Sequence, residues 1–338
     1  MEEILPGLFR IIVPLPDNPL KEINSYVLTS RDRNLVIDTG MNRPECKEVL
    51  LPGMEELGVD LGKTDFFITH MHADHQGMVA SLFTKGSRAY MSEPDASRLK
   101  AGMTAHAGVK PIVDYLAKSG FPDDELQYAL MNHPGFKYGP KSVVDYRYVA
   151  EGDIFQVGDY TLEVVATPGH TEGHMCLYER NRKLLFSGDH VLGDITPNIV
   201  GISDDVNPLD LYIKSLHKVY ELDVALCLPG HRSFISDFKK RVRELIEHHR
   251  IRGNEAIDVL DKNPQTAYQA ASQMSWDIAA KSWDDFPIMQ KWFATGEAIA
   301  HLIYLEKLGL VQREIRDGLI YFSSKGKGNL FRIFSESA

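Results

Sequence analysis

Cysteine is scarce in this chain: Cys46, Cys176 and Cys227 are the only three among 338 residues. They are too few and too scattered for a disulfide framework, and no Cys-x-x-Cys spacing offers a metal site. No apolar run reaches the roughly 18–20 residues that would span a bilayer, so a membrane partner is not expected. The opening residues Met1-Glu2-Glu3-Ile4 are acidic where a secretory signal is basic, and the expectation is a cytoplasmic protein with reduced thiols. A basic surplus is missing as well. The net charge is -10, with the acid concentrated in residues 1–239 and the remainder close to neutral. That argues against nucleic acid as an electrostatically captured partner while leaving an individual phosphate ester open. Internal repeats and low-complexity segments are also lacking. Against these absences, 43% apolar and 25% charged residues describe an ordinary globular chain, long enough for one large domain and an appendage.

Short apolar runs with turns between them occupy the first 40 residues: Gly7 to Val13, Asn24 to Thr29, and Asn34 to Ile37 ending at Asp38-Thr39-Gly40. A helix is predicted after Pro44, then a strand Phe66-Phe67-Ile68-Thr69 that runs into His70. Residues 101–147 break the alternation. Helical pieces give way to an aromatic, turn-rich stretch from His133 to Pro140, which reads as a lid-like insertion. Further short strands cover 154–157, 161–166, 175–178 and 184–186, followed by a helix from Pro208 to Tyr220 and an apolar run ending at His231. Strand hairpins in both halves, interleaved with helices, predict an α+β protein built as a four-layer αββα sandwich over residues 1–240. Residues 241–338 turn mainly helical and close with a hairpin around Asp317-Gly318, the order of a small winged-helix domain.

The chemistry concentrates in Thr69-His70-Met71-His72-Ala73-Asp74-His75. In extended chain, positions i, i+2 and i+4 share a side, so His70, His72 and Asp74 would converge, with His75 following where a helix begins. Neutral imidazole and ionised carboxylate suit borderline divalent metals such as zinc. Four such residues do not fill two coordination shells. The chain supplies more at three run ends: Thr167-Pro168-Gly169-His170, Ser187-Gly188-Asp189 and Leu228-Pro229-Gly230-His231. A glycine beside each ligand lets backbone pass close to a crowded site.

In these motifs and their order, residues 5 to 235 resemble the metallo-β-lactamase superfamily, with Asp38-Thr39-Gly40 and Thr167 to His174 as further shared features. The resemblance implies one metal on His70, His72 and His170 and a second on Asp74, His75 and His231, with Asp189 bridging and Asp38 steadying the His70 loop. It implies two divalent metal ions, zinc foremost, with iron or manganese also accepted by such a mixed shell. A metal-bridging hydroxide would be the nucleophile. Asp74, Asp189 and His190 are the expected catalytic residues; His190 either points into the cleft or flanks it. His174 is expected to pack or hydrogen-bond behind the ligands. His106 and His133 fall in the lid, His248 and His249 on linker surface, and His217 and His301 carry no signal. Tyr115, Phe136, Tyr138 and Tyr146 are candidates for a substrate pocket, with ordinary packing the alternative.

The fold is shared by enzymes of several chemistries and does not choose a substrate. Flavodiiron enzymes usually carry an acid at the position of His72, and quorum-quenching lactonases a tyrosine at that of Leu192. A secreted β-lactamase needs an export signal. What remains is hydrolysis of a small-molecule carboxylic ester or thioester, and Gly188-Asp189-His190-Val191-Leu192 resembles the corresponding turn of glyoxalase-II-like enzymes. The alternative is a phosphodiesterase or nuclease on the same site. A ligand-sensing DNA-binding regulator is the third class, disfavoured because residues 297–306 are apolar and acidic where a recognition helix is basic. Those helices are expected to pack on the catalytic domain or on a partner subunit in a homodimer.

Overall fold

The computed structural model describes residues 1–103, 110–328 and 330; His106 and the Phe136 side chain lie outside the described set. One sheet runs β1 (Glu2–Leu5), β2 (Leu8–Pro14), β3 (Glu22–Leu28), β4 (Asn34–Ile37), β5 (Thr64–Phe67), β6 (Arg88–Ser92) and β7 (Tyr146–Val149) in spatial order. It is antiparallel up to β4 and parallel from there on. The second sheet orders β12 (Leu226–Pro229), β11 (Leu184–Gly188), β10 (Met175–Glu179), β9 (Tyr160–Ala166) and β8 (Ile154–Val157). Every residue of β4, β10 and β11 is buried, the signature of strands covered on both faces.

Three apolar layers explain the covering. Tyr26, Leu35, Ile37 and Phe67 of the first sheet meet Leu162, Val164, Leu177 and Phe186 of the second. Outside the first sheet, Cys46, Leu50 and Met54 of α1 (Pro44–Glu56) pack with α3 (Val79–Leu82) and α4 (Glu93–Met103) on Val27, Val36 and Phe66, and the short α2 (Ala73–Gln76) precedes α3. Outside the second lies α8 (Pro208–Tyr220), capped by Asn207, which accepts from the Asp210 amide at 3.1 Å. Its Leu209, Tyr212, Ile213 and Leu216 recur at helical spacing and face the sheet. This is the four-layer arrangement that hairpins and helices together predict.

A fourth core gathers α10 (Ala267–Ala271), α11 (Ile288–Lys307), the hairpin β13 (Val311–Arg316) and β14 (Leu319–Ser324), and the C-terminal half of α9 (Phe238–Leu260). The N-terminal half of α9 belongs to the core outside the second sheet through Phe238, Val242, Leu245 and Ile246. Residue 240 therefore lies in the first turn of a continuous helix. The insertion also differs from a lid along part of its length. Helices α5 (Lys110–Lys118) and α6 (Asp123–Asn132) give Tyr115, Leu116, Leu126 and Ala129 to the C-terminal core, because their amphipathic faces find α10 and α11. The short α7 (Pro134–Lys137) and the stretch after it reach back, where the Tyr138 carbonyl accepts from Asn42 N at 3.0 Å. No described helix is long and apolar enough to cross a membrane.

Candidate metal centre

The seven expected side chains come together at one end of the sandwich. Strand β5 ends at Phe67, earlier than predicted, and the chain from Ile68 to His72 is irregular. The His72 carbonyl then caps α2, accepting from the amides of His75 and Gln76 at 3.0 and 3.1 Å. Asp74 thus reaches the site from a helical first turn, and the alternation of an extended chain is not what joins it to His70 and His72.

Two clusters result. The nitrogens His70 Nε2, His72 Nδ1 and His170 Nε2 converge, each 3.0 Å from the next in turn. Burial drives His72 down to about 3, with His170 pushing the same way, and it lowers His70 and His170 as well. Lowered in this way, the three imidazoles favour the neutral form, the one that offers a lone pair to a metal. In the other cluster His231 Nε2 lies 3.5 Å from both Asp74 Oδ2 and Asp189 Oδ2, and His75 Nε2 lies 3.4 Å from Asp189 Oδ1. Burial alone would lower His231, but Asp189 and Asp74 outweigh it and raise the group to about 10. For His75, burial is likewise overcome by Asp38, Asp189 and Asp74. Burial pushes Asp74 and Asp189 upward, yet the facing imidazoles hold both below the usual carboxylate range. Asp189 also stands 3.7 Å from His170 Nε2, so it touches both clusters.

Each ligand ring is oriented from behind. His231 Nδ1 donates to the Glu22 carbonyl at 2.6 Å and His170 Nδ1 to the Asn198 carbonyl at 2.8 Å, which leaves both Nε2 atoms facing inward. The Asp38 carboxylate accepts from Thr69 N at 2.9 Å, Thr69 Oγ1 at 2.8 Å and His75 Nδ1 at 2.8 Å. Gly230 is required by proximity: a Cβ there would sit 2.7 Å from Asp189 Oδ1 and 2.9 Å from the His75 ring.

The donor set fits divalent cations. His75 Nε2, His231 Nε2 and Asp189 Oδ1 are buried without a hydrogen bond, a costly state that a coordinated ion relieves. The triads His70, His72, His170 and Asp74, His75, His231 each keep their ligand atoms within 4.8 Å of one another. A third group, His70, His75 and Asp189, meets the same bound and links the two triads.

Other expectations fare differently. His190 is not brought to either triad: the turn after Gly188 points its ring at Tyr212, 5.2 Å between centroids, and burial lowers it to about 3. His174 sits behind the site, its Nδ1 2.7 Å from Thr167 Oγ1 while its Nε2 accepts from the Asp189 amide at 3.1 Å. His249, expected on linker surface, is fully buried with its Nδ1 3.2 Å from His301 Nε2. Tyr115 and Tyr146 are core residues, and Tyr138 lies beneath the Arg43 guanidinium.

Asp95 of α4 went unnoticed in the sequence. Its buried carboxylate accepts from Met71 N at 2.9 Å, Thr171 Oγ1 at 2.7 Å and Gly173 N at 2.9 Å, tying the His70–His72 loop to the loop after His170. Burial raises its pKa, against the pull of those three bonds. Its partners are backbone groups and one hydroxyl far along the chain, so no local motif announces it.

The family model for the metallo-beta-lactamase superfamily matches residues 19–87 and 101–231, more than half of the chain, and includes all seven side chains. A model described as the metallo-beta-lactamase-like, C-terminal domain matches residues 254–325. The lactamase-like protein aptB of Emericella nidulans is 26% identical over 248 residues, 72% of this chain and 62% of its own length. An atrochrysone carboxyl ACP thioesterase of the same organism is 25% identical over 262 residues, 78% of this chain and 67% of its own. Among solved structures, a beta-lactamase domain protein from Burkholderia ambifaria superposes with a TM-score of 0.82 at 26% identity, covering 96% of this chain and 94% of that one.

Proposed function

The chain belongs to the metallo-beta-lactamase superfamily, and from that premise we propose that it is a dinuclear metal-dependent hydrolase of small-molecule carboxylic esters or thioesters. The observation that carries this reading is the convergence of two ligand triads on either side of Asp189, with buried ring nitrogens left unbonded. His70, His72 and His170 would hold one ion, Asp74, His75 and His231 the other, and Asp189 would be shared. Bound divalent metals supply a water-derived nucleophile at neutral pH and polarise the attacked oxygen. The protein's own part is orientation: Asp38, Glu22 and Asn198 fix the tautomers of His75, His231 and His170. Asp95 locks the two loops that carry the three-histidine set. The name of the thioesterase relative favours an acyl thioester within this class. The C-terminal unit runs helices and then a hairpin, the order on which the winged-helix reading rests. Its α11 buries twelve of 20 residues and so has no free face for a nucleic-acid groove.

Metal analysis together with a substrate panel tests the reading. Protein purified without chelator should carry about two transition-metal ions per chain and turn over acyl thioesters or nitrophenyl esters in preference to bis-nitrophenyl phosphate. Full turnover after complete metal removal refutes the metal mechanism. Rapid phosphodiester cleavage without ester turnover replaces the substrate class by the phosphodiesterase alternative.

A further inference from the structure

Residues 190–207, which lead from Asp189 to α8, contain no helix or strand, yet they present the Asn198 carbonyl that takes the His170 Nδ1 proton. The stretch is held from outside along its length. Arg241 of α9 donates Nε to the Leu192 carbonyl at 2.6 Å and Nη2 to the Ile195 carbonyl at 2.8 Å. Gly201 N donates to the Gly296 carbonyl of α11 at 2.9 Å. The two backbones approach so closely that a Cβ on Gly296 would stand 2.4 Å from Val200 Cγ1. Farther on, Asp204 accepts from Tyr115 Oη of α5 at 2.7 Å and pairs with Arg313 of β13. From Gly201 onward the holders named here, in α11, α5 and β13, all belong to elements of the C-terminal core.

We propose that the C-terminal unit is a positioning part of the metal centre, acting through residues 201–204 to keep the Asn198 carbonyl against His170 and its Nε2 turned toward His70 and His72. The inference rests on the reading of these three histidines as metal ligands. A histidine ligand without its fixed partner is free to rotate or to take the other tautomer, and loss of such a partner typically weakens metal binding about 10–100-fold. The effect is confined to one ion. His231 is oriented by Glu22 of β3 and His75 by Asp38 beyond β4, both in or beside the first sheet. Loosening the clamp therefore weakens the His70, His72, His170 ion and spares the Asp74, His75, His231 ion.

The test titrates cobalt(II) into the metal-free full chain against a competing chelator, resolving two affinities and their visible absorption bands. Two variants open the clamp: Gly296→Ala, which forces Val200 aside, and the double substitution Asp204→Asn, Arg313→Gln, which removes a partly exposed pair and keeps the test available if the glycine variant does not fold. Leu126→Ala, in the same core but on α6, which contributes none of these holders, controls for lost stability. One affinity should fall about 10-fold or more with a changed absorption band, while the other stays within about two-fold. Two unchanged affinities overturn the inference, as does a joint decline that the control reproduces at equal loss of melting temperature. A wild-type chain that binds no cobalt overturns the proposed function and this inference together.

Discussion

Stripping the metal and titrating the bare protein from pH 6.5 to 10 probes the second ligand cluster directly. With no ion present, His231 faces Asp74 and Asp189 and is raised from 6.5 to about 10. At about 1.36 kcal/mol per pH unit, that displacement corresponds to an upper bound on the order of 5 kcal/mol. The sign follows from the direction: a raised imidazole contributes stability that is complete below pH 6.5 and is lost as pH rises through about 10. His75, raised by the Asp38, Asp189 and Asp74 carboxylates, acts in the same sense. The metal-free protein should therefore unfold at progressively lower urea concentration as pH rises across this window. Metal uptake must expel the same protons, because only neutral imidazole ligates. Calorimetric titration near pH 7.5 in buffers of different ionisation enthalpy should then find about two protons released per chain when both ions bind. Proton-free uptake, or metal-free stability that is flat from pH 6.5 to 10, would refute the assignment of His75 and His231 as ligands poised by the two aspartates.

Replacing the shared carboxylate, Asp189→Ala, should cut turnover at least about 100-fold and leave fewer than two metals per chain by elemental analysis. Asp95→Ala strands Met71 N and Gly173 N in a buried setting; a loss of about 1–3 kcal/mol in urea denaturation and weaker metal retention are expected. Gly230→Ala drives a methyl to within 2.7 Å of Asp189 Oδ1, so circular dichroism should stay native while metal content drops. Leu126→Ala in α6 should cost about 2–5 kcal/mol, a core penalty that a detachable lid would not show.

The candidate metal centre was legible because its residues sit where the chain leaves buried runs, and apolar runs punctuated by Gly-His or Gly-Asp are a local pattern. The seven ligand candidates needed no knowledge of which strand lies beside which. Asp95, by contrast, acts on groups 24 and 78 positions away, and it looks like an ordinary first-turn acid of a surface helix. The destination of α5 and α6 was equally hidden. An amphipathic face states that it will be buried, not by what. His190 was misjudged because adjacency to Asp189 says nothing about the turn at Gly188, which sends neighbouring side chains to opposite sides of the second sheet's end. His249 shows the reverse error: it sits in a charged stretch whose buried stripe only emerges once α11 crosses it.

Helix α9 is 23 residues long, about 35 Å, and gives Phe238 to Ile246 to one core and Ala256 to Leu260 to another. A rod shared in this way couples the two cores, since melting its middle uncovers apolar residues of both. The sandwich and the C-terminal unit should consequently unfold in one thermal transition rather than two.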